Sequence, residues 1–171
     1  MEFGLRRAQG PDAGIYGARA AVIGGCAGTS NVLTGQMFNV PVLGTHAHSW
    51  IMSFPDEYTA FKTYARMYPN SCTLLVDTYD VLKSGVPNAI RVFEEMREEG
   101  VKLTHYGIRI DSGDLAYLSK EAYKMLAAAG FDDATISASS DLDEYLIDSL
   151  KTQDALSLIH ISEPTRHAQI S

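Results

Sequence analysis

Cysteine is scarce in this chain: Cys26 and Cys72 are the only two among 171 residues, and they lack metal-ligand spacing. Both lie in apolar stretches, so they read as buried free thiols in a reducing compartment, which excludes a disulfide scaffold and a thiolate metal centre. No apolar run approaches the roughly 18–20 residues that a membrane helix needs. There is no charged-then-apolar leader either, so a soluble, cytoplasmic protein without membrane contact is expected. Basic charge is also thin, with 14 Lys and Arg against 21 Asp and Glu, a net charge of −7 and no Lys/Arg-rich run. That excludes an extended nucleic-acid surface. The glycine-rich segments Gly24-Gly25, Gly28-Thr-Ser-Asn31 and Asp111-Ser-Gly-Asp114 are short. None is a P-loop or a dinucleotide fingerprint, which disfavours a nucleotide-binding Rossmann domain. No internal repeat is visible.

What is present is a βα rhythm. Hydrophobic residues make up 46% of the chain, and its length suffices for one domain with a proper core. Strands are predicted at Val40–Gly44, Thr73–Val76, Tyr106–Ile110 and Thr135–Ala138. Helices are predicted from Pro11, from Thr45 towards Trp50, over Asp56–Tyr68, Pro87–Glu99, Leu115–Ala129 and Leu142–Leu150, with a short one after Gly28 capped by Ser30. Strand and helix alternate at about thirty residues, the length of one crossover unit. The fold class is therefore α/β, a parallel sheet or a segment of a barrel.

Four predicted strands end in chemically active side chains: Val40-Pro-Val-Leu-Gly-Thr-His-Ala-His48, Leu74-Leu-Val-Asp77, Ile108-Arg-Ile-Asp-Ser-Gly-Asp114 and Ile136-Ser-Ala-Ser-Ser-Asp141. Parallel strands put their carboxyl ends on one face, so these groups should converge. Asp77, Asp111 and Asp141 each follow a strand and precede a helix. Each could be an N-cap, but three on one face repel unless a cation or sugar hydroxyls lie between them. Arg109 points away from Ile108 and Ile110, into an ion pair with Asp111 or Asp77 or onto a ligand carboxylate or phosphate. His46 and His48 face alike on a strand end and roughly oppositely on a helix, so a paired metal site has weak support. One histidine acting as base, acid or nucleophile is the better functional idea, against a hydrogen-bonded loop histidine. Such a face suits a phosphorylated, metal-bound substrate, since a few Arg residues and Mg²⁺ hold phosphates even on an acidic chain.

Six blocks follow one another along the chain: Glu2-Phe-Gly-Leu-Arg-Arg-Ala-Gln-Gly10, Ile23-Gly-Gly with Gly28-Thr-Ser-Asn31, Gly44-Thr-His-Ala-His-Ser-Trp50, Leu75-Val-Asp-Thr-Tyr-Asp80, Ile108-Arg-Ile-Asp-Ser-Gly-Asp-Leu115 and Ser139-Ser-Asp-Leu-Asp-Glu144. In this order they resemble the nicotinate phosphoribosyltransferase family. The resemblance implies a fragment of an irregular TIM-like α/β barrel of the type II phosphoribosyltransferase kind. It implies ATP-coupled condensation of nicotinate with phosphoribosyl pyrophosphate to nicotinate mononucleotide and pyrophosphate, in NAD biosynthesis. His48 matches the phosphohistidine, with Asp77 and Asp111 as catalytic carboxylates. Asp77, Asp111 and Asp141 line the ribose–pyrophosphate and Mg²⁺ region, and Mg²⁺ arrives with pyrophosphate or ATP. Thr45 and Arg109 match residues that hold nicotinate, Phe3 an aromatic that stacks on the pyridine ring, and Arg6 a phosphate contact. Ser30 stands where the nicotinamide-using relative carries an Asp. A hydroxyl there tolerates a carboxylate, which favours nicotinate. His46 occupies a position that varies in related enzymes, which leaves it a lesser role. The full-length protein is expected to be a homodimer.

The resemblance covers about residues 1–155, the expected partial barrel. Residues 156–171 break the βα rhythm and resemble translated adapter sequence, so they are expected to be a non-native read-through tail. The family's amino-terminal domain and its later glycine-rich phosphate loop have no counterpart here, and the polypeptide is expected to be inactive or poorly folded alone, with an open barrel edge. Three rival readings are a relative using nicotinamide or quinolinate, a non-catalytic binding fragment, and a barrel enzyme with Asp77, Asp111 and Asp141 as a metal cluster.

Overall fold

A computed structural model describes residues 1–140 and 142–155, and the backbone of 159–161. The chain divides into two compact units, Met1–Gly44 with Ser140–Asp148, and Thr45–Ser139 with Ser149–His160. The helices are α1 (Pro11–Ile23), α2 (Val32–Phe38), α3 (His48–Met52), α4 (Glu57–Met67), α5 (Val86–Glu98), α6 (Leu115–Ala128) and α7 (Glu144–Thr152). The strands are β1 (Cys72–Leu75), β2 (Tyr106–Ile110), β3 (Thr135–Ala138) and β4 (Ile159–Ile161), in the order β1-β2-β3-β4.

The larger unit is built from consecutive crossovers. β1 pairs parallel with β2 and β2 with β3, Leu75 lying opposite Arg109 and Arg109 opposite Ser137. Parallel strands need a crossover between them, and α5 and α6 supply the two. Leu74, Val76, Ile108, Ile110, Ile136 and Ala138 are almost wholly buried. They form one core with Ala89, Val92 and Phe93 of α5 and Ala122 and Leu126 of α6, all fully buried. Phe93 packs edge-on against Tyr106 and Phe131, with ring centroids 5.0 and 5.7 Å away.

Carboxylates open α4, α6 and the turn ahead of α5. Asp56 accepts from Thr59 N–H at the head of α4, and Asp114 from Tyr117 N–H at the head of α6. Asp80 accepts from Leu82 and Lys83 N–H, opening a π-helical turn (Val81–Gly85) that runs into α5. In that turn Gly85 lies directly against the Val76 backbone, where a Cβ would collide with the carbonyl.

The smaller unit brings three extended passages side by side. Glu2 bridges Thr29, and Thr29 bridges Val42, all parallel. The Glu2 carboxylate is buried and accepts from Gly4 N–H and Thr29 Oγ1. Phe3, Arg6 and Ser30 therefore follow directly on neighbouring passages.

Several expectations are corrected. Val40–Gly44 is not a buried strand: Val42 and Leu43 are 46% and 42% exposed, and a single bridge to Thr29 is its only β pairing among the described residues. Apolar content there reflects no core face, and Pro41 supplies no donor. Asn31, not Ser30, caps α2, accepting from Thr34 N–H. Cys72 is fully buried but Cys26 only half-buried. Burial pushes the Cys72 thiol up to about 12, leaving it an inert core residue. Ile159–Ile161 forms a strand where the sequence pattern suggests none. No helix among the described residues is long and apolar enough to cross a membrane.

Candidate functional site

The strand register carries one step past the sheet. Extending Leu75–Arg109 and Ile110–Ala138 puts Asp77, Asp111 and Ser139 in one row across the carboxyl ends of β1, β2 and β3. Arg109 lies two residues before Asp111, on the same side of its strand. These groups are joined by hydrogen bonds rather than merely near one another.

Arg109 uses all three guanidinium nitrogens. Nε donates to Ser139 Oγ (2.7 Å), Nη1 to Thr45 Oγ1 (3.0 Å) and Nη2 to Asp111 Oδ1 (2.8 Å). Its side chain is 12% exposed, so this is a largely desolvated ion pair, and Asp111 rather than Asp77 is its partner. Ser139 is fully buried and donates in turn to Asp111 Oδ1. Asp77 is the next node. Its side chain is 1% exposed, and Oδ2 accepts from Asp111 N–H (3.1 Å) and Ser112 Oγ (2.6 Å). Oδ1 lies 3.1 Å from Nε2 of His48. An unbroken bonded path thus runs from His48 through Asp77 and Asp111 to Arg109 and Thr45.

The N-cap reading fails for Asp77 and Asp111. Asp80 and Asp114, three residues further on in each case, do the capping. The two carboxylates at the strand ends are left for the polar row.

His48 is the first residue of α3 with a 38% exposed side chain, whereas His46 lies in the preceding loop and is 7% exposed. His46 Nε2 accepts from Leu75 N–H (3.2 Å), and its ring stands edge-on to Tyr64, with centroids 4.6 Å apart. Nδ1 is buried without a hydrogen-bond partner among the described residues. Burial, with smaller contributions from Arg109 and His48, lowers the His46 pKa from 6.5 to about 4 against the opposing effect of Ala47. The unfolded chain therefore takes up this proton first on acidification. Stability should fall between pH 6.5 and 4 by roughly 3 kcal/mol on this account and then level off. Denaturant titrations across that range should show this loss in the parent and its removal in His46→Gln.

Phe3, Arg6 and Ser30 belong to the smaller unit. Phe3 is half-buried at the head of a 3-10 turn (Gly4–Arg7), Arg6 is exposed on that turn, and Ser30 donates its N–H to Glu2. Asp141 lies outside the described residues. Nothing in the letters alone marks Ser139 or Ser112, although Ser139 holds the register position of Asp77 and Asp111. That row, drawn from aligned strand ends, is the signal that finds it. Among the described residues no group of three His, Cys, Asp or Glu is spaced to hold a metal ion.

Comparison with known proteins gives consistent matches. Residues 1–151 match the profile of the nicotinate phosphoribosyltransferase (NAPRTase) family. The chain is 59% identical over 155 residues to nicotinate phosphoribosyltransferase from Bacillus subtilis, covering 91% of this chain and 31% of that protein. It is 41% identical to the enzyme of the same name from Dictyostelium discoideum, covering 90% and 33%. The crystal structure of human nicotinic acid phosphoribosyltransferase superposes with a TM-score of 0.82 at 31% identity, covering 94% of this chain and 42% of that one. The chain thus spans about a third of the length of the curated relatives.

Proposed function

This chain belongs to the nicotinate phosphoribosyltransferase family, and from that premise we propose that it carries the pyridine-binding and phosphohistidine part of an enzyme that condenses nicotinate with phosphoribosyl pyrophosphate at the expense of ATP, for NAD synthesis. The observation that carries this reading is the bonded path from His48 to Arg109 across three strand ends. It joins a nucleophile to a carboxylate-binding cation through two acids.

Each residue has a chemical part. An ionised Asp77 can only accept, so its contact assigns the His48 proton to Nε2 and leaves the Nδ1 lone pair to attack the γ-phosphorus of ATP. A P–N bond forms, the bond to ADP breaks, and water later cleaves the phosphohistidine. Arg109, held as a fixed fork, offers its cationic plane to the nicotinate carboxylate, with Thr45 beside it. Asp111 keeps that fork oriented. On the family resemblance, Phe3, Arg6 and Ser30 keep the ring-stacking, phosphate and carboxylate-tolerant parts given above. As pyrophosphate leaves, positive charge grows on the anomeric carbon, and Asp77 and Asp111 favour it electrostatically.

Mg²⁺ would supply charge neutralisation on pyrophosphate. Both Asp77 oxygens and Asp111 Oδ1 already take protein contacts, which supports an ion that enters bound to phosphates rather than one resident on these carboxylates. The barrel completed by the rest of a full-length chain belongs to the same reading, as does the inactivity of these 171 residues alone.

A segment exchange tests it. Residues 1–155, placed in the B. subtilis relative in lieu of its own matching segment, should sustain nicotinate-dependent turnover and incorporate label from γ-labelled ATP. His48→Ala in that protein should abolish incorporation. Label retained in the His48→Ala protein, or preference for nicotinamide or quinolinate over nicotinate, overturns the proposal.

A further inference from the structure

The edge of the sheet at β1 poses a question that the reaction chemistry does not answer. In a parallel pair, alternate residues of a strand donate to the same neighbour. Cys72 N–H reaches His105 O and Val76 N–H reaches Arg109 O, so both point towards β2. Leu75 N–H then points the other way, off the edge, at a fully buried residue where an unpaired donor is costly. Its partner is a side chain, Nε2 of His46.

The position of that side chain matters. His46 is flanked by Thr45, which accepts from Arg109, and stands two residues before His48, which meets Asp77. Leu75, at the other end of the tie, stands two residues before Asp77. One hydrogen bond therefore fixes the loop that presents Thr45 and His48 to the strand that presents Asp77. The ring is wedged by Phe61 and Tyr64 of α4, with centroids 6.1 and 4.6 Å away, which leaves it little rotational freedom. A donor from the backbone demands a bare Nε2, so the proton sits on Nδ1.

We propose that His46 is a positioning residue, a neutral imidazole that bolts the Thr45–His48 loop to the edge of β1 and so sets the His48–Asp77 and Thr45–Arg109 contacts. Its consequence for turnover rests on the function proposed above, but the tie itself does not.

The test is spectroscopic, on the 171-residue chain. Nitrogen-15 spectra at neutral pH should show His46 with its proton on Nδ1 and a bare Nε2. His46→Leu, which has no acceptor, should speed amide exchange at Leu75 by about tenfold or more and shift the His48 ring resonances. His46→Gln places an amide oxygen near the site of Nε2 and should restore both to near the parent values. Should the leucine variant fail to fold, the tautomer and the glutamine variant still decide the matter. An Nε2–H tautomer at His46, glutamine and leucine variants that behave alike, or a Leu75 amide indifferent to either would overturn the inference. If these signals respond as expected while the segment exchange yields no nicotinate turnover, the function fails and the positioning role stands. If turnover is present and these signals do not respond, the reverse holds.

Discussion

Arg109→Lys should destabilise the larger unit by about 2–4 kcal/mol despite keeping the charge. A lysine ammonium cannot reach Ser139, Thr45 and Asp111 together, because those three acceptors match the separate nitrogens of a planar fork. Whichever contact it keeps, buried groups lose partners: Ser139 is fully buried, and Asp111 would face a displaced or absent countercharge. In the segment-exchanged enzyme, the same change should weaken nicotinate by a hundredfold or more, equivalent to about 3 kcal/mol, while nicotinamide, without a carboxylate, should be much less affected. Denaturant unfolding and paired substrate titrations measure the two effects. A lysine variant as stable as the parent would show that the fork does not hold the strand ends together. Equal losses for both pyridines would remove Arg109 from carboxylate recognition.

Gly107→Ala should cost as much without touching a charged group. Gly107 sits in β2 against Thr135 of β3, and a Cβ there would run into both the carbonyl and the hydroxyl of Thr135. Neither can retreat, since the carbonyl belongs to the paired strand and Thr135 Oγ1 donates to Tyr106 O (3.1 Å). The strands must separate, at about 3 kcal/mol or more, comparable with severe overpacking of a core. Separation falls two residues before Arg109, so a contact between Arg109 and Ser139 should loosen along with the fold. Thermal unfolding, read beside the Gly44→Ala change, where a Cβ meets open space, makes the comparison. Gly44→Ala should be close to neutral.

Both outcomes depend on strand ends, and those were legible from the letters alone. Leu74-Leu-Val, Ile108-Arg-Ile and Ile136-Ser-Ala each stop at a polar group. An apolar run so short, followed by a helix, has few uses other than a buried parallel strand. The amphipathic helices α4 and α5 were equally plain, because apolar residues recur at helical spacing along α4 and charges line the outer side of α5. Other features were not legible. Val40–Gly44 has the composition of a strand, yet burial is a property of neighbours, and Val42 and Leu43 remain exposed. The choice between Ser30 and Asn31 as a cap turns on one residue of backbone geometry, which propensity does not resolve. Asp77 and Asp111 resemble caps, and only the structure shows Asp80 and Asp114 taking that work. Among the site residues, His48, Asp77, Arg109, Asp111 and Thr45 come together as a bonded set. Ser139 escaped notice because its value lies in register, which pairing determines and composition does not.

The pairing of each strand with its successor in sequence also governs how the molecule is made. β1 meets β2 and β2 meets β3 in the order of translation, so a chain leaving the ribosome can add one crossover at a time without waiting for distant partners. The histidine, its carboxylate partner and the second acid are all available once β2 has emerged, whereas Ser139, which orients the guanidinium, comes a crossover later. A nascent polypeptide halted between these points would hold an arginine whose aim is not yet set, and the polar row would be completed last.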